Sequence, residues 1–178
     1  RLKLIYGEKI LKVHLPNPIK TDMMFDIVIF NDVFEHLEKI NDVIKEVSFV
    51  LKYDGIVILN LPTSDGIIFK ISKFLLNLKI NKFYDRLWQK NSSSPHLSYF
   101  NKLNLTKLFS KNGFTLLESG NLETLEFNNL DRFRNMYKRI MSTIILTIFT
   151  SIFFFLQFIL PKDIMYLIFK KESKTITK

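Results

Sequence analysis

Between Phe25 and Pro62 the apolar residues arrive in two rhythms. A nearly unbroken run from Asp26 to Phe30 stops at the polar pair Asn31 and Asp32, and a second run, Ile56 to Leu61, is closed by Pro62. Short continuous runs of this kind predict buried strands. Between them Ile40, Val43, Ile44, Val47, Val50 and Leu51 recur in steps of three and four, which places one apolar stripe on a helix. Asn41 suits the amino cap of that helix, and Asp54-Gly55 suits the turn into the second strand. Strand, helix and strand in this order predict the βαβ unit of a parallel sheet, and such sheets hold ligands beyond the carboxyl ends of their strands. Asn31 and Asp32 stand at that edge.

The same reading extends along the chain. Leu2–Tyr6 reads as the end of a strand, followed by a loop carrying Pro16 and Pro18. Thr63–Gly66 is a loop and Ile67–Leu78 a lysine-dotted apolar helix, while residues 81–100 read as irregular and rich in aromatic side chains. An Asn101 cap opens a helix through Leu105, Leu108 and Phe109 to Gly113, whose freedom at positive φ suits a helix end. Phe114–Glu118 and Met165–Phe169 read as further strands, and no internal repeat is evident.

One segment breaks the pattern. Met141–Leu160 carries no charge over 20 residues and includes five phenylalanines, the length of a bilayer-spanning helix. Arg132, Arg134, Lys138 and Arg139 precede it, and lysines also follow it, so flanking charge sets no orientation. Three readings stand: a transmembrane helix, an insertion that enters lipid without crossing, and hydrophobic helices packed on the domain. The second is favoured.

Length suits one domain with a substantial core. The absence of cysteine excludes disulfides and thiolate metal sites and is compatible with a reducing, cytoplasmic setting. Net charge is +9, yet lysine is spread thinly rather than clustered, so a nucleic-acid partner is not expected; a membrane surface suits the charge better. The chain begins at Arg1, inside an apolar run, and is read as the carboxyl-terminal portion of a longer protein.

The words of the chain carry more than its rhythm. Phe25-Asp26, Phe34-Glu35-His36-Leu37, Leu51-Lys52-Tyr53-Asp54-Gly55, Pro95-His96-Leu97-Ser98-Tyr99-Phe100 and Asn112-Gly113-Phe114 follow one another in the order and spacing of a known set. Over roughly residues 1 to 120 the chain resembles the class I S-adenosylmethionine-dependent methyltransferases. The resemblance implies an α/β fold: a partial Rossmann-like sheet of parallel strands with a final antiparallel strand, Met165–Phe169, plus a hydrophobic helical insertion. It implies three parts, a catalytic portion over 1–130, the insertion over 131–162, and a last strand with a basic tail over 163–178. The returning strand argues against a true membrane span, which would leave it on the wrong side of the bilayer.

By the same resemblance the cofactor is S-adenosyl-L-methionine, with Glu8 toward adenine and Asn31 and Asp32 under the methionine portion. The glycine-rich first turn and the ribose-binding acid have no counterpart here, so the 178 residues alone are expected to bind cofactor poorly or not at all. His36 is a candidate general base, near neutrality when unperturbed; the alternative is a structural hydrogen bond. His96 is a candidate to hold or deprotonate an acceptor hydroxyl; the alternative is a pin between loop and helix. Glu35 suits capping or dipole compensation, Tyr84 and Trp88 wall the pocket or anchor the loop, and His14 has no evident partner. Asp32-x-x-Glu35-His36 resembles the Glu-x-x-Glu-His metal motif of quinone-biosynthesis O-methyltransferases, but the first acid differs and no metal is expected. The expected function is methyl transfer to a small, sugar-linked or lipid-linked acceptor, with membrane contact through 141–160; the alternative is a noncatalytic membrane-associated module. A nicotinamide-dependent oxidoreductase lacks reason to carry the Glu-His and Pro-His-Leu-x-Tyr-Phe segments together.

Overall fold

Strand β1 (Phe25–Asn31) and strand β2 (Leu51–Pro62) lie side by side and parallel, with Ile27 opposite Ile56 and Asn31 opposite Asn60. The structure is a computed structural model that describes residues 15–123 and 159–173. The expected strand at Leu2–Tyr6, the residues Glu8 and His14, and segment 141–158 lie outside the described residues. Helix α1 (Ile40–Val50) joins β1 to β2 and buries Val43, Ile44, Val47 and Val50, the stripe that the spacing foretold.

Two local details differ from the sequence reading. Asn41 does not cap α1; Lys39 does, in the left-handed region at φ 48°, and its carbonyl accepts from the amides of Asp42 and Val43. The Asp54-Gly55 turn lies inside β2 rather than before it. Pairing steps from Phe25 opposite Leu51 to Ile27 opposite Ile56, and the extra residues bulge out around Asp54 at φ 62°. A Cβ on Gly55 would stand 2.8 Å from the Leu51 side chain and 2.9 Å from the Lys52 carbonyl, so the bulge closes only over glycine.

Helices α2 (Ile67–Asn77), α3 (Lys82–Leu87) and α4 (Lys102–Ser110) follow β2. Helix α3 falls in the stretch read as irregular. Its single turn and a half is too short to show a period, and Tyr84 meeting Trp88 four residues on marks it only in three dimensions. Helix α4 begins as foreseen: Asn101 Oδ1 accepts from the Asn104 amide and Asn104 Oδ1 from the Asn101 amide, each at 2.9 Å. Gly113 ends the following turn at φ +78°.

Strands β3 (Phe114–Leu122) and β4 (Ile164–Lys171) complete the sheet in the order β1-β2-β4-β3, with β4 antiparallel to both neighbours. The returning final strand is therefore where the resemblance placed it. Alternate residues of β2 (Val57, Leu59, Leu61) and β4 (Met165, Leu167, Phe169) are buried in one core with Val43, Ile44, Leu105 and Phe109 of the covering helices. Phe109 stacks on Phe169 at 4.2 Å between ring centroids. β1 is less buried than its apolar run suggests: Phe30 is in the core, but Ile27 and Ile29 point to the opposite face of the sheet, which no described helix covers. No helix among the described residues is long and apolar enough to cross a membrane.

Candidate active site

Two polar clusters meet beyond the carboxyl end of the parallel pair. The first lies at the strand tips. Asn60 Nδ2 donates to Asn31 Oδ1 at 2.6 Å, and the Asp32 amide donates to the Asn60 carbonyl at 2.9 Å. Asp32 turns the chain at φ 50°, a conformation that aspartate tolerates better than most residues, and its side chain is exposed. Asn60 Oδ1 is buried without a hydrogen-bond partner, an orphaned acceptor at the edge where ligands of such sheets lie. An orphaned amide oxygen beside an exposed carboxylate fits the ammonium of an amino-acid ligand portion. Asn31 and Asp32 are thus brought together as expected, and Asn60 joins them. A parallel register was needed to find it.

The second cluster begins one turn later. A 3-10 turn at Phe34–His36 drives Phe34 into the core against Phe30, Phe100 and Phe109, which fixes the next two residues. The Glu35 carbonyl accepts from the amides of Leu97 and Ser98 at 2.8 and 3.1 Å, tying this turn to the Pro95–Phe100 segment. His36 and His96, 60 residues apart in sequence, come to 4.6 Å between ring centroids. Of the two roles expected for Glu35, it makes no cap but stands in the first turn, where dipole compensation places an acid; its side chain is 1% exposed, with Oε1 3.9 Å from His36 Nε2 and Oε2 unpartnered. Burial is the main reason its carboxyl is pushed above the ordinary range, with the nearby Asp32 charge adding to it.

Hydrogen bonds settle which ring nitrogens are free. The Pro95 carbonyl can only accept, so His36 Nδ1, 2.9 Å away, carries its proton, and Nε2 is left with the lone pair in the neutral ring. Tyr99 Oη donates to the Leu87 carbonyl at 3.1 Å and therefore accepts from His96 Nδ1 at 3.0 Å. Gln89 Nε2 donates to His96 Nε2 at 3.1 Å, which holds the same tautomer from the other end. Burial first, then the neighbouring His36, lowers the pKa of His96 from 6.5 and keeps the ring neutral at physiological pH. Burial, then the charges of Glu35 and Asp163, raises that of Tyr99 and keeps its phenol protonated.

Trp88 and Tyr84 serve the loop: Trp88 packs on Tyr84 and Tyr99 at 5.8 and 5.1 Å, and its carbonyl accepts from the His96 amide at 3.2 Å. The sequence reading missed Gln89 and Tyr99 as partners of His96. Tyr99 lies three residues after His96, a spacing that marks nothing until the segment's fold is known. Glu35, His36 and His96 also present ligand-type atoms within 4.8 Å of one another, a different trio from the Asp32-x-x-Glu35-His36 spacing. A cation there would have to displace the Gln89 amide from His96.

Comparison with known proteins follows the geometry. A family model described as a methyltransferase domain matches residues 9–119, more than half of the chain. A search of curated proteins finds no match. Among solved structures the chain is similar to Haemonchus contortus phosphoethanolamine N-methyltransferase 2, held with phosphomonomethylethanolamine and S-adenosylhomocysteine. The TM-score is 0.51 at 13% identity, covering 84% of this chain and 34% of that one. It is similar to the methyltransferase bound by the Trm112 activator of Haloferax volcanii, at TM-score 0.51 and 11% identity over 90% and 58% of the two chains. It is also similar to a Bacillus halodurans protein described as a methyltransferase, at TM-score 0.50 and 16% identity over 86% and 67%. The chain thus spans about a third of the nematode enzyme, and likeness at such identity speaks for the fold alone. Sheet order, strand-tip polarity and the match over residues 9–119 agree, and the chain belongs to the methyltransferase-domain family of class I S-adenosylmethionine-dependent methyltransferases.

Proposed function

We propose that this chain forms the acceptor side and part of the cofactor side of a methyltransferase acting on a small acceptor, sugar-linked or lipid-linked. The observation that carries the reading is the parallel register of β1 and β2. It sets Asn31, Asp32 and the orphaned Asn60 Oδ1 at one strand edge, one turn from the paired imidazoles of His36 and His96. Asn31, Asp32 and Asn60 would hold the amino-acid end of S-adenosyl-L-methionine, and Glu8, outside the described residues, its adenine. When bound, that cofactor supplies the electrophilic methyl group.

The chain's own residues then have two tasks. His36 Nε2, with its lone pair free and its Nδ1 anchored on Pro95, takes the proton that a hydroxyl acceptor loses. His96, held from both ends by Tyr99 and Gln89, meets the His36 ring edge-on and keeps that ring in place. Glu35, buried beside His36, stabilises the imidazolium as it forms. The Phe34 plug and the aromatic wall of Trp88, Tyr84 and Tyr99 exclude water and keep these groups in register.

The test is a titration of S-adenosylhomocysteine into the isotopically labelled 178-residue chain, followed by two-dimensional NMR. Weak, saturable shifts concentrated at Asn31, Asp32, Val33 and the Asn60 side-chain amide are expected, and Asp32→Asn should diminish them. Shifts confined to another surface, or shifts at the strand edge that Asp32→Asn leaves unchanged, would remove the reading.

A further inference from the structure

We propose that the hairpin of α2 and α3 seats on the anionic headgroup surface of a phospholipid bilayer. The inference stands on this surface alone and does not need the acceptor to be a lipid. Helix α2 is pinned by one face and, among the described residues, bare on the other. Its start is tied to the strand end of the sheet, where the Ile68 amide donates to Asp163 Oδ1 at 2.7 Å and the Ile67 amide to the Pro161 carbonyl at 3.2 Å. Its inner face is held by the buried Ser72 and by Phe69, 4.9 Å from the Tyr99 ring. The outer face carries Ile68, Ile71, Phe74 and Leu78, spaced by three, three and four, all exposed; Phe74 is 63% and Leu78 56% exposed. Phe83 of α3, which packs beside α2, extends the patch. An apolar stripe of this kind on an anchored helix calls for an occupant.

Charge says which one. From Gly66 to Tyr84 the chain carries Lys70, Lys73, Lys79 and Lys82 and no acid. On α3 an open cleft of about 680 Å³ is lined by Lys82, Arg86 and Lys90, and its one acid, Asp85, is already paired with Lys90. Lysine is depleted at the cores of protein interfaces. It is favoured on helices that lie in the headgroup plane with phenylalanine and leucine pointing to the acyl chains. A phosphate headgroup fits the cleft and an apolar boundary fits the stripe. A bilayer surface supplies both at once, with the lysines at headgroup depth as in helices lying in the interface plane.

The chain's lack of cysteine makes the experiment clean. Phe74→Cys in the full chain, labelled with an environment-sensitive fluorophore, is titrated with phosphatidylcholine vesicles with and without phosphatidylserine. Lys111→Cys at the far end of α4 serves as the control position, and Leu78→Cys as a second reporter should the first variant fold poorly by circular dichroism. A blue shift at position 74 with anionic vesicles only, and none at 111, is expected. Lys70→Gln and Lys73→Gln should each weaken the apparent affinity about fivefold. An equal shift with neutral vesicles would overturn the proposal. So would a concentration-dependent shift without lipid, meaning a second copy or protein partner, or sedimentation with vesicles while position 74 stays silent, meaning attachment elsewhere in the chain.

Discussion

Replacing Tyr99 with phenylalanine removes one oxygen that holds two groups in place. In the wild-type chain that oxygen accepts from His96 Nδ1 and donates to the Leu87 carbonyl, within a half-buried aromatic cluster. Phenylalanine keeps the ring packing and orphans both partners, so stability should fall by about 1–3 kcal/mol, the usual cost of unsatisfied buried polar groups. The catalytic consequence is separable. A net hydrogen bond of about 0.5–1.5 kcal/mol favours the Nδ1–H tautomer, so its loss changes the tautomer ratio of His96 about two- to tenfold. Gln89 still donates to Nε2, so the single variant should retain a majority of the native tautomer, and Tyr99→Phe with Gln89→Ala should lose that preference. Long-range proton–nitrogen correlation spectra of the imidazole read the ratio directly, and urea denaturation reads the stability. An unchanged His96 tautomer in the double variant would refute the role of these two neighbours in setting it. A stability loss without any tautomer change would confine the Tyr99 hydroxyl to its bond with the Leu87 carbonyl.

Three further outcomes follow from the same coordinates. Phe34→Ala empties a fully buried ring site among Phe30, Phe100 and Phe109, and should cost about 3–5 kcal/mol in denaturant unfolding while loosening the His36 signals by NMR. Gly120→Ala places a Cβ 2.6–2.8 Å from the outer end of the Tyr166 ring, so the exposed ring must swing from its 2.7 Å bond to Glu118; at most a slightly lowered thermal midpoint is expected, with the Tyr166–Glu118 bond lost. The pKa of His96 in the folded chain lies below its ordinary 6.5, so folding favours the neutral ring. Stability should therefore be complete above pH 6.5 and fall as pH drops through the folded value. His96→Gln should flatten that acid-side loss in denaturation midpoints measured against pH, and an unchanged slope would count against the buried, neutral ring.

How much of this was legible in the chain depended on distance along it. The α1 stripe, the Asn101 cap and the Gly113 helix end are local or periodic, so residue identity alone announces them, whereas the place of the last strand came from the family resemblance. Helix α3 and the Lys39 cap were missed because one is too short to show a period and the other uses the backbone alone. The burial of Glu35 was missed for a related reason. Capping is a local expectation for an acid at a helix start, whereas its burial follows from Phe34 plunging into the core and from the Leu97 and Ser98 amides closing over its carbonyl.

The sequence by itself determined the βαβ unit and the polarity of its edge, because hydrophobic period and strand-ending polar residues are written consecutively. It named both histidines, through their neighbours, as residues of interest. Only tertiary structure decided that His36 and His96 face each other, which nitrogen of His36 is free, and that both nitrogens of His96 are held. It also decided that Asn60 shares the strand edge with Asn31, and that α2 turns one apolar face outward. Those facts depend on register and on hydrogen bonds between segments dozens of residues apart, and neither leaves a trace in local composition.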